Sequence, residues 1–387
     1  MTPTQQPPCE VLLVAGIDSI GLARFPYLLH SAGCRVTLLA PPGLAAISSR
    51  YVARHLPASH DPQARALELQ ALLSTQDRPF ALVIIGDEAT LIALAEYRGQ
   101  AWLDGWFPVD HRSAAVEVML SKVAFQQAAE SFGLRMPFTR LCRDKAEVET
   151  AVWQAGYPVM LKAAHGLSGS GVYKVCESGE FEPAYTDLAP AGEPLLVQRF
   201  CEGELGSTDV LFDHGVPVCW QSSYSRRCWP TPLASSSARE LMQHRDIEAL
   251  LSGVGQITGF HGFAGVDWIH DAVSDHLYLL ELNPRPTPSY HLDRHSGVSF
   301  SRSLNQLLSG RHKVTRPLPV RHPAPLIGLF PQSLYWAAGE RDWRSGLLCW
   351  NDAPWRDPKL IGAYLRRVIS HFLPGHWRQQ AKRWLRR

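Results

Sequence analysis

The sequence predicts a parallel α/β domain at the N-terminus followed by an antiparallel α+β region. Short apolar runs alternate with helical segments over the first hundred residues, a pattern typical of parallel strands joined by crossover helices. From about Arg112 the chain changes to several β-rich runs separated by turns. At 387 residues it is also too long for one ordinary hydrophobic core and fits two or three packed units.

The N-terminal strands are predicted at three apolar runs, residues 11–15, 35–40 and 80–85. A helical stretch over residues 22–31 follows the first run and ends before Gly33. The order strand, helix, strand predicts a Rossmann-like unit. However, residues 16–21 lack the Gly-x-Gly-x-x-Gly pattern, and no acidic residue ends the second strand, so NAD binding is not favoured.

After residue 112, helices are predicted over residues 113–132, stopped by Gly133 and Pro137, and over residues 237–253. Predicted strands cover 158–163, 171–176, 195–200, 207–212, 216–221, 262–270 and 276–282. The last two strands flank a turn-like stretch and are expected to form a hairpin.

Composition narrows the functional class. Apolar residues make up 45% of the chain, charged residues 19%, and the net charge is +2, so no nucleic-acid partner is expected. The eight cysteines never form a Cys-x-x-Cys pair, which argues against a zinc site and for reduced thiols. The N-terminus is a poor signal peptide, and no run reaches 18 apolar residues, so we expect a cytoplasmic enzyme.

The most specific motif is Glu-Leu-Asn-Pro-Arg at residues 281–285, at the end of a predicted strand. Glu281 and Asn283 alternate onto one face, and hairpin pairing would place Asp267 of the preceding strand beside Glu281. Two carboxylates and an amide oxygen suit Mg²⁺, and Arg285 would face the same phosphates. Taken alone, the motif is more often structural than catalytic, as in a strand that ends in a proline turn.

A second motif places Lys162 at the end of an apolar strand, before a Gly/Ser-rich loop over residues 163–171. Such a loop can bind phosphates through backbone N–H groups, and a lysine within a strand is best stabilised by an anion. It is not a Walker A loop, since no Gly-Lys-Ser/Thr follows. The alternative is a plain hairpin loop with a solvated lysine.

A third segment, residues 195–204, is a strand running into an acidic turn. It can act as a hinge whose backbone near Arg199 and Cys201 reads an adenine edge, with Glu204 on ribose hydroxyls. An edge strand that ends in a solvated acidic loop is the alternative.

Together with Lys122, these segments resemble the ATP-grasp superfamily in order and spacing over roughly residues 110–310. The resemblance implies a pre-ATP-grasp α/β domain (residues 1–112), a two-lobed α+β ATP-grasp fold (113–310) and a C-terminal extension (311–387). It also implies that ATP and one or two Mg²⁺ ions, or Mn²⁺, are cofactors.

The resemblance further implies roles for individual residues. Those expected at the nucleotide are Lys122, Lys162, His165, Gly166, Ser168, Gly169, Ser170, Gly171, Gln198, Arg199, Cys201 and Glu204. Asp267, Glu281 and Asn283 would bind metal, and Arg285 with Lys162 would be catalytic. Two residues depart from the family pattern, because Gln198 replaces a common glutamate and Asp267 stands where glutamate is frequent.

The implied activity is ATP-dependent activation of a carboxylate as an acyl phosphate, which an amine then attacks. Arg226 and Arg227, in an apparently irregular stretch, are candidates for a carboxylate clamp, and Ser289, Tyr290 and His291 for contacts to the amine. The alternatives are a biotin-carboxylase-like enzyme that activates bicarbonate and a nucleotide-binding regulatory protein without turnover.

The C-terminal stretch, residues 364–387, is basic, contains tryptophans and has no acidic residue. We expect it to pack against the body of the protein, with peripheral contact to an anionic membrane as the alternative. The sequence names neither the acid nor the amine, and it leaves the oligomeric state open.

Overall fold

The structure, a computed structural model, describes residues 9–74, 80–163, 171–188, 194–231, 234–311, 313–320 and 323–372. Within these ranges the strands form one parallel sheet of four strands and two antiparallel sheets of six and four strands. The predicted architecture, a parallel α/β domain followed by an antiparallel α+β region, is confirmed.

The N-terminal domain is a parallel sheet in the order β3-β2-β1-β4. Its elements are β1 (Cys9–Val14), α1 (Ile20–Ser31), β2 (Cys34–Ala40), β3 (Val52–Pro57), α2 (Pro62–Ser74), β4 (Leu82–Ile85) and α3 (Glu88–Ala95). The central strand β1 is buried from Val11 to Val14, as expected for a strand covered on both faces. Strand β3 was not predicted, because this edge strand is largely exposed and lacks an apolar run.

The next segment contains two helices, α4 (Ala115–Leu120) and α5 (Lys122–Ser131), where one helix was predicted. Ser121 breaks the helix, since its backbone is extended and its hydroxyl accepts a hydrogen bond from the Ala124 N–H at 3.3 Å. This is a helix N-cap. The break makes Lys122 the first residue of α5.

A small lobe follows, with an antiparallel sheet in the order β5-β8-β6-β7 and two helices. Its elements are β5 (Thr139–Cys142), α6 (Lys145–Ala155), β6 (Val159–Ala163), β7 (Val172–Val175), α7 (Ser178–Leu188) and β8 (Leu195–Arg199). The lobe has its own apolar core, built around Val148, Leu161 and Val197.

The large sheet has the order β13-β12-β9-β10-β11-β14 and is antiparallel throughout. Its region comprises β9 (Glu204–Asp213), β10 (Val216–Cys228), β11 (Ser236–Met242), α8 (Ile247–Thr258), β12 (Gly262–Asp271), β13 (His276–Asn283), α9 (Asp293–Ser296), α10 (Phe300–Leu308) and β14 (Leu326–Gly328). The predicted helix over residues 237–253 is therefore wrong in its first half. Pairing of β11 with β10 and β14 overrides the local helical pattern.

The C-terminal segment adds α11 (Gln332–Glu340), α12 (Trp343–Gly346) and α13 (Pro358–Phe372). Helix α13 buries Leu360 and Tyr364 in the same core as α1, and Arg24 of α1 forms a buried ion pair with Asp352 at 3.0 Å. The described part of the basic C-terminal stretch, residues 364–372, thus packs on the body.

Residues 373–387 lie outside the described residues, and membrane contact there stays a prediction. Among the described helices, none combines the length and the apolar character needed to cross a bilayer.

Candidate functional site

A cleft of about 450 Å³ lies between the small lobe, the large sheet and α3 of the N-terminal domain. Nine of the residues predicted from the sequence line it together. They are Lys122, Lys162, Gln198, Arg199, Cys201, Asp267, Glu281, Asn283 and Arg285. Lysines from one side and carboxylates from the other therefore converge on one space, as the motifs predict.

The acidic wall of the cleft depends on a β-bulge in β13. Asp267 of β12 is paired with Glu281, but Trp268 is paired with Leu279, so Leu280 is an extra residue. Before the bulge the odd-numbered Leu277 and Leu279 are buried, and after it Leu282 is buried. Without the bulge Glu281 would share the buried face of Leu279. The extra residue turns Glu281 and Asn283 towards the cleft, which is a common use of bulges near active sites.

The carboxylates of this wall are crowded. Burial and the neighbouring Glu281 carboxylate raise the pKa of Asp267 to about 7. The Asn283 side-chain N–H donates to Asp267 at 3.0 Å, and Asn283 Oδ1 accepts from Arg285 Nη2 at 3.4 Å. Two adjacent carboxylates beside an amide oxygen form a set of hard oxygen ligands. This donor set fits a divalent cation such as Mg²⁺, which would relieve the repulsion between the carboxylates.

Two lysines face this wall. Lys122, at the start of α5, places Nζ 3.6 Å from Glu281 Oε2, and both side chains are partly exposed. Lys162, at the end of β6, donates to Gln198 Oε1 at 2.7 Å. Burial lowers the pKa of Lys162, the Glu281 carboxylate opposes that shift, and Lys122 adds to it. Two ammonium groups held near each other indicate a site for a polyanion.

The side chains of the hinge strand β8 form hydrogen bonds within the small lobe. Gln198 is buried, and it bridges Lys162 to the Thr139 hydroxyl, to which its Nε2 donates at 2.9 Å. Gln198 Oε1 accepts the hydrogen bond from Lys162. The Arg199 guanidinium donates to the Ala155 carbonyl at 3.0 Å. Cys201 is half-buried, and burial raises the pKa of its thiol.

Arg285 links the motif strand to the N-terminal domain. Its Nε lies 3.2 Å from Glu88 Oε1 at the start of α3. Asp87 caps that helix by accepting from the Thr90 N–H at 2.9 Å. Glu88 also lines the cleft, although no sequence motif marks it.

The proposed carboxylate clamp is not at the cleft. The stretch predicted as irregular belongs to β10, which places Arg226 between Glu204 and Glu240, with Glu240 at 2.7 Å. Arg227 lies over the Trp336 ring at 4.3 Å. Neither arginine lines the cleft, and the Glu204 carboxylate, predicted at a ribose, pairs with Arg226. The geometry gives the predicted clamp no support, because strand pairing provides both guanidinium groups with other partners.

Residues 289–291, which were predicted to contact the amine, make hydrogen bonds or ion pairs within the protein instead. Ser289 is fully buried and donates to Asp209 at 2.9 Å, while its carbonyl accepts from Gln221. The Tyr290 hydroxyl donates to backbone carbonyls of the large sheet. His291 Nε2 lies 2.9 Å from Asp352 Oδ1. Ser289 therefore cannot contact a substrate without disrupting the core.

Arg239 on β11 is the functional candidate that sequence reasoning missed. It lines the cleft, and its Nη1 donates to the hydroxyls of Ser207 and Ser223, the latter at 3.0 Å. Its Nε is buried and has no hydrogen-bond partner within the described residues. Its charge also lowers the pKa of Asp267. A half-buried guanidinium with an unused donor indicates an anion site.

The glycine loop is only partly covered by the structure. Gly171 precedes β7 and has a positive φ of 74°. The other predicted loop residues, His165, Gly166, Ser168, Gly169 and Ser170, lie outside the described residues.

Comparison with known proteins gives a consistent result. Residues 119–289 match the family model described as the ATP-grasp domain. D-alanine–D-alanine ligase of Xanthomonas axonopodis pv. citri (strain 306) is 26% identical over 182 residues, which are 44% of this chain and 57% of that ligase. The chain thus spans little more than half the length of this relative.

Solved structures extend the likeness beyond the matched segment. N5-carboxyaminoimidazole synthetase from Staphylococcus aureus, complexed with ADP, aligns with a TM-score of 0.63 at 12% identity, covering 80% of this chain and 78% of that one. L-amino acid ligase from Bacillus licheniformis aligns with a TM-score of 0.56 at 17% identity, covering 82% of both chains. At these identities the likeness shows a shared fold.

Proposed function

This chain contains an ATP-grasp domain, and from that premise we propose that it is an ATP-dependent ligase. The reaction would phosphorylate a substrate carboxylate to an acyl phosphate and transfer the acyl group to an amine, releasing ADP and phosphate. The observation that carries the proposal is the position of Lys122 and Lys162 opposite Asp267 and Glu281 across one cleft.

The opposite charges on the two walls of the cleft would bind the nucleotide and its metal ion. Lys122 and Lys162 would bind the phosphates, and Asp267, Glu281 and Asn283 would hold Mg²⁺. When bound, Mg²⁺ would offset the charge of the phosphates. Gln198 keeps Lys162 directed into the cleft through the 2.7 Å hydrogen bond, so little reorganisation is needed when an anion arrives.

The substrate side of the cleft would be formed by Arg285, Arg239 and Glu88. Arg285 is held between Glu88 and Asn283, and its charge would face the group that is transferred. We propose that Arg239 binds the substrate carboxylate, and that Glu88 attracts the ammonium form of the amine. The D-alanine–D-alanine ligase and the L-amino acid ligase named above support a small carboxylate as substrate.

The test is ADP release by the purified chain with Mg²⁺, ATP and pools of small carboxylates and amines, with mass spectrometry of the product. The ligase predicts release that requires both an acid and an amine, and a product with a new amide bond. Release with bicarbonate and no amine would favour the carboxylase alternative. Nucleotide binding without turnover under any pool would favour a regulatory protein.

The raised pKa of Asp267 predicts a pH-dependent affinity for Mg²⁺. Below about pH 7 the carboxyl holds a proton that the cation must displace, so the apparent Kd should rise up to about tenfold per pH unit. Above about pH 8 the Kd should level off. Titrations of Mg²⁺ in the presence of ADP between pH 6 and 8.5 measure this.

Glu281→Gln provides the control for that titration. It removes the neighbouring charge that helps raise the pKa of Asp267, so the pH midpoint should move down. The protonation of the ADP phosphates affects both proteins equally, so it does not contribute to the difference between their pH midpoints. A wild-type Kd that does not change over this pH range would contradict the assignment.

Arg239→Lys is predicted to raise KM for the carboxylate by about 10–100-fold, because a lysine ammonium cannot donate the two parallel N–H hydrogen bonds that a guanidinium gives to a carboxylate. Arg227→Ala serves as the matched control, since Arg227 lies on Trp336 and away from the cleft, and should leave KM unchanged. Steady-state kinetics with varied carboxylate measure both. Equal KM values in wild type and Arg239→Lys would exclude Arg239 as the carboxylate site.

A further inference from the structure

A cluster of metal-binding side chains lies at the opposite end of the large sheet from the cleft. Asp213 ends β9, His214 is in the β9–β10 turn, and His261 precedes β12. Ser207, which lines the cleft, is six residues before Asp213 in the same strand, so the cluster is roughly 20 Å away. The proposed ligase chemistry does not use these residues.

The ligand atoms have the spacing that one metal ion requires. His214 Nδ1 lies 2.8 Å and His261 Nδ1 3.4 Å from the same oxygen, Asp213 Oδ1. The first contact is a hydrogen bond to the carboxylate, and a metal ion would bind His214 Nδ1 with the ring hydrogen on the exposed Nε2 instead. Ligands about 2.0–2.1 Å from a tetrahedral or octahedral ion are about 2.9–3.4 Å apart. All three ligand atoms lie within 4.8 Å of one another, so they can reach a shared ion with small side-chain rotations.

His261 offers its Nδ1 to the same cluster. The His214 backbone N–H donates to His261 Nδ1 at 3.4 Å, which directs the lone pair of that nitrogen towards the β9–β10 turn. Asp213 Oδ1 lies 3.4 Å from the same nitrogen. A metal ion bound there would replace these long contacts.

The turn itself carries an unusual residue. His214 and Gly215 both have positive φ, 45° and 85°, and Asp213 is paired with Val216, which defines a two-residue turn of type I′. Asn-Gly is the favoured sequence for this turn, and His-Gly is a less common one. The strained position holds the exposed imidazole of His214 beside Asp213 and His261.

A second cluster of similar composition does not meet these requirements. His244 and His270 both place Nε2 near Asp275 Oδ1, at 3.2 and 3.1 Å. However, the Asp246 N–H donates to His244 Nδ1 at 3.1 Å, so His244 carries its hydrogen on Nε2 and offers no lone pair there. Arg245 also pairs with Asp275 at 3.0 Å and already supplies a positive charge.

We propose that Asp213, His214 and His261 bind one divalent transition-metal ion of the kind that imidazole and carboxylate ligands prefer. The ion would join the β9–β10 turn to the segment that leads into β12, the strand that carries Asp267. Its function would be to stabilise this end of the large sheet. Cysteine spacing could not reveal such a site, because it contains no thiol.

The test is a calorimetric titration of Ni²⁺ into the tag-free, chelator-treated full chain, together with the shift in Tm. The expected results are one high-affinity site per chain and a higher Tm with Ni²⁺. His214→Asn should lower the affinity by at least about tenfold and abolish the Tm shift. Because asparagine suits the turn, the metal-free variant should be at least as stable as wild type.

Two controls separate this site from the others. Asp275→Asn alters the second cluster at a position of positive φ that asparagine tolerates, and Glu281→Gln alters the cleft. Both variants should keep the Ni²⁺ site. The proposal is overturned if wild type binds no Ni²⁺ at this affinity, or if His214→Asn retains the site. The proposed ligase activity stands or fails independently of these results.

Discussion

Glu281→Gln is expected to lower kcat/KM for substrate-dependent ADP release by about 10²–10³-fold, the range seen when one preorganised electrostatic group is removed from an active site. Glu281 supplies a carboxylate next to Asp267 and lies 3.6 Å from Lys122. Glutamine keeps the shape but removes the charge that would attract both the metal and the lysine. The loss should be partly restored by raising the Mg²⁺ concentration, since the defect lies in metal binding.

The fold should survive this change. The Glu281–Lys122 pair is partly exposed, and such pairs contribute at most about 1 kcal/mol to the free energy of unfolding. Glu149→Gln, on the exposed face of α6, is the matched control and should leave both kcat/KM and Tm unchanged. Full activity of Glu281→Gln at low Mg²⁺ would mean that the metal is bound elsewhere.

Lys162→Met is expected to lower kcat/KM by about 10²–10³-fold as well, but with a different effect on stability. Burial disfavours the ammonium form of Lys162, as its lowered pKa indicates, and methionine fills a similar volume without a charge. Thermal unfolding should therefore show an unchanged or higher Tm, while Gln198 loses its 2.7 Å partner. The KM for ATP should rise together with the fall in kcat.

Lys145→Met tests whether any lysine of the small lobe would give this result. Lys145 forms an exposed pair with Glu182 at 2.7 Å and does not line the cleft. Its replacement should change neither kcat/KM nor the KM for ATP by more than about twofold. If Lys162→Met retained activity within about threefold of wild type, Lys162 would not be at the phosphates.

The parts of the site that sequence alone predicted share one property. Lys162 and Glu281 each stand at the end of an apolar run, where the strand period and the change to polar residues are visible within a few positions. The hairpin of β12 and β13 was predictable from the turn between them. These are local signals.

The parts that were missed depend on contacts between distant segments. Arg239 lies in a stretch whose local pattern predicts a helix, and only pairing with β10 and β14 makes it a strand that faces the cleft. The bulge at Leu280 adjusts the register and cannot be inferred from alternation, because alternation alone places Glu281 on the face of Leu279. Ser289 follows a proline-rich segment and appears solvent-accessible, yet Asp209 holds it in the core.

The most direct test of the central claim is anomalous diffraction from crystals grown with ADP and Mn²⁺ in place of Mg²⁺. The account predicts a metal peak within about 2.3 Å of a Glu281 carboxylate oxygen and the Asn283 amide oxygen, with the ADP phosphates next to Lys122 and Lys162. ADP bound outside this cleft, or a peak that no oxygen of Asp267, Glu281 or Asn283 approaches, would contradict it.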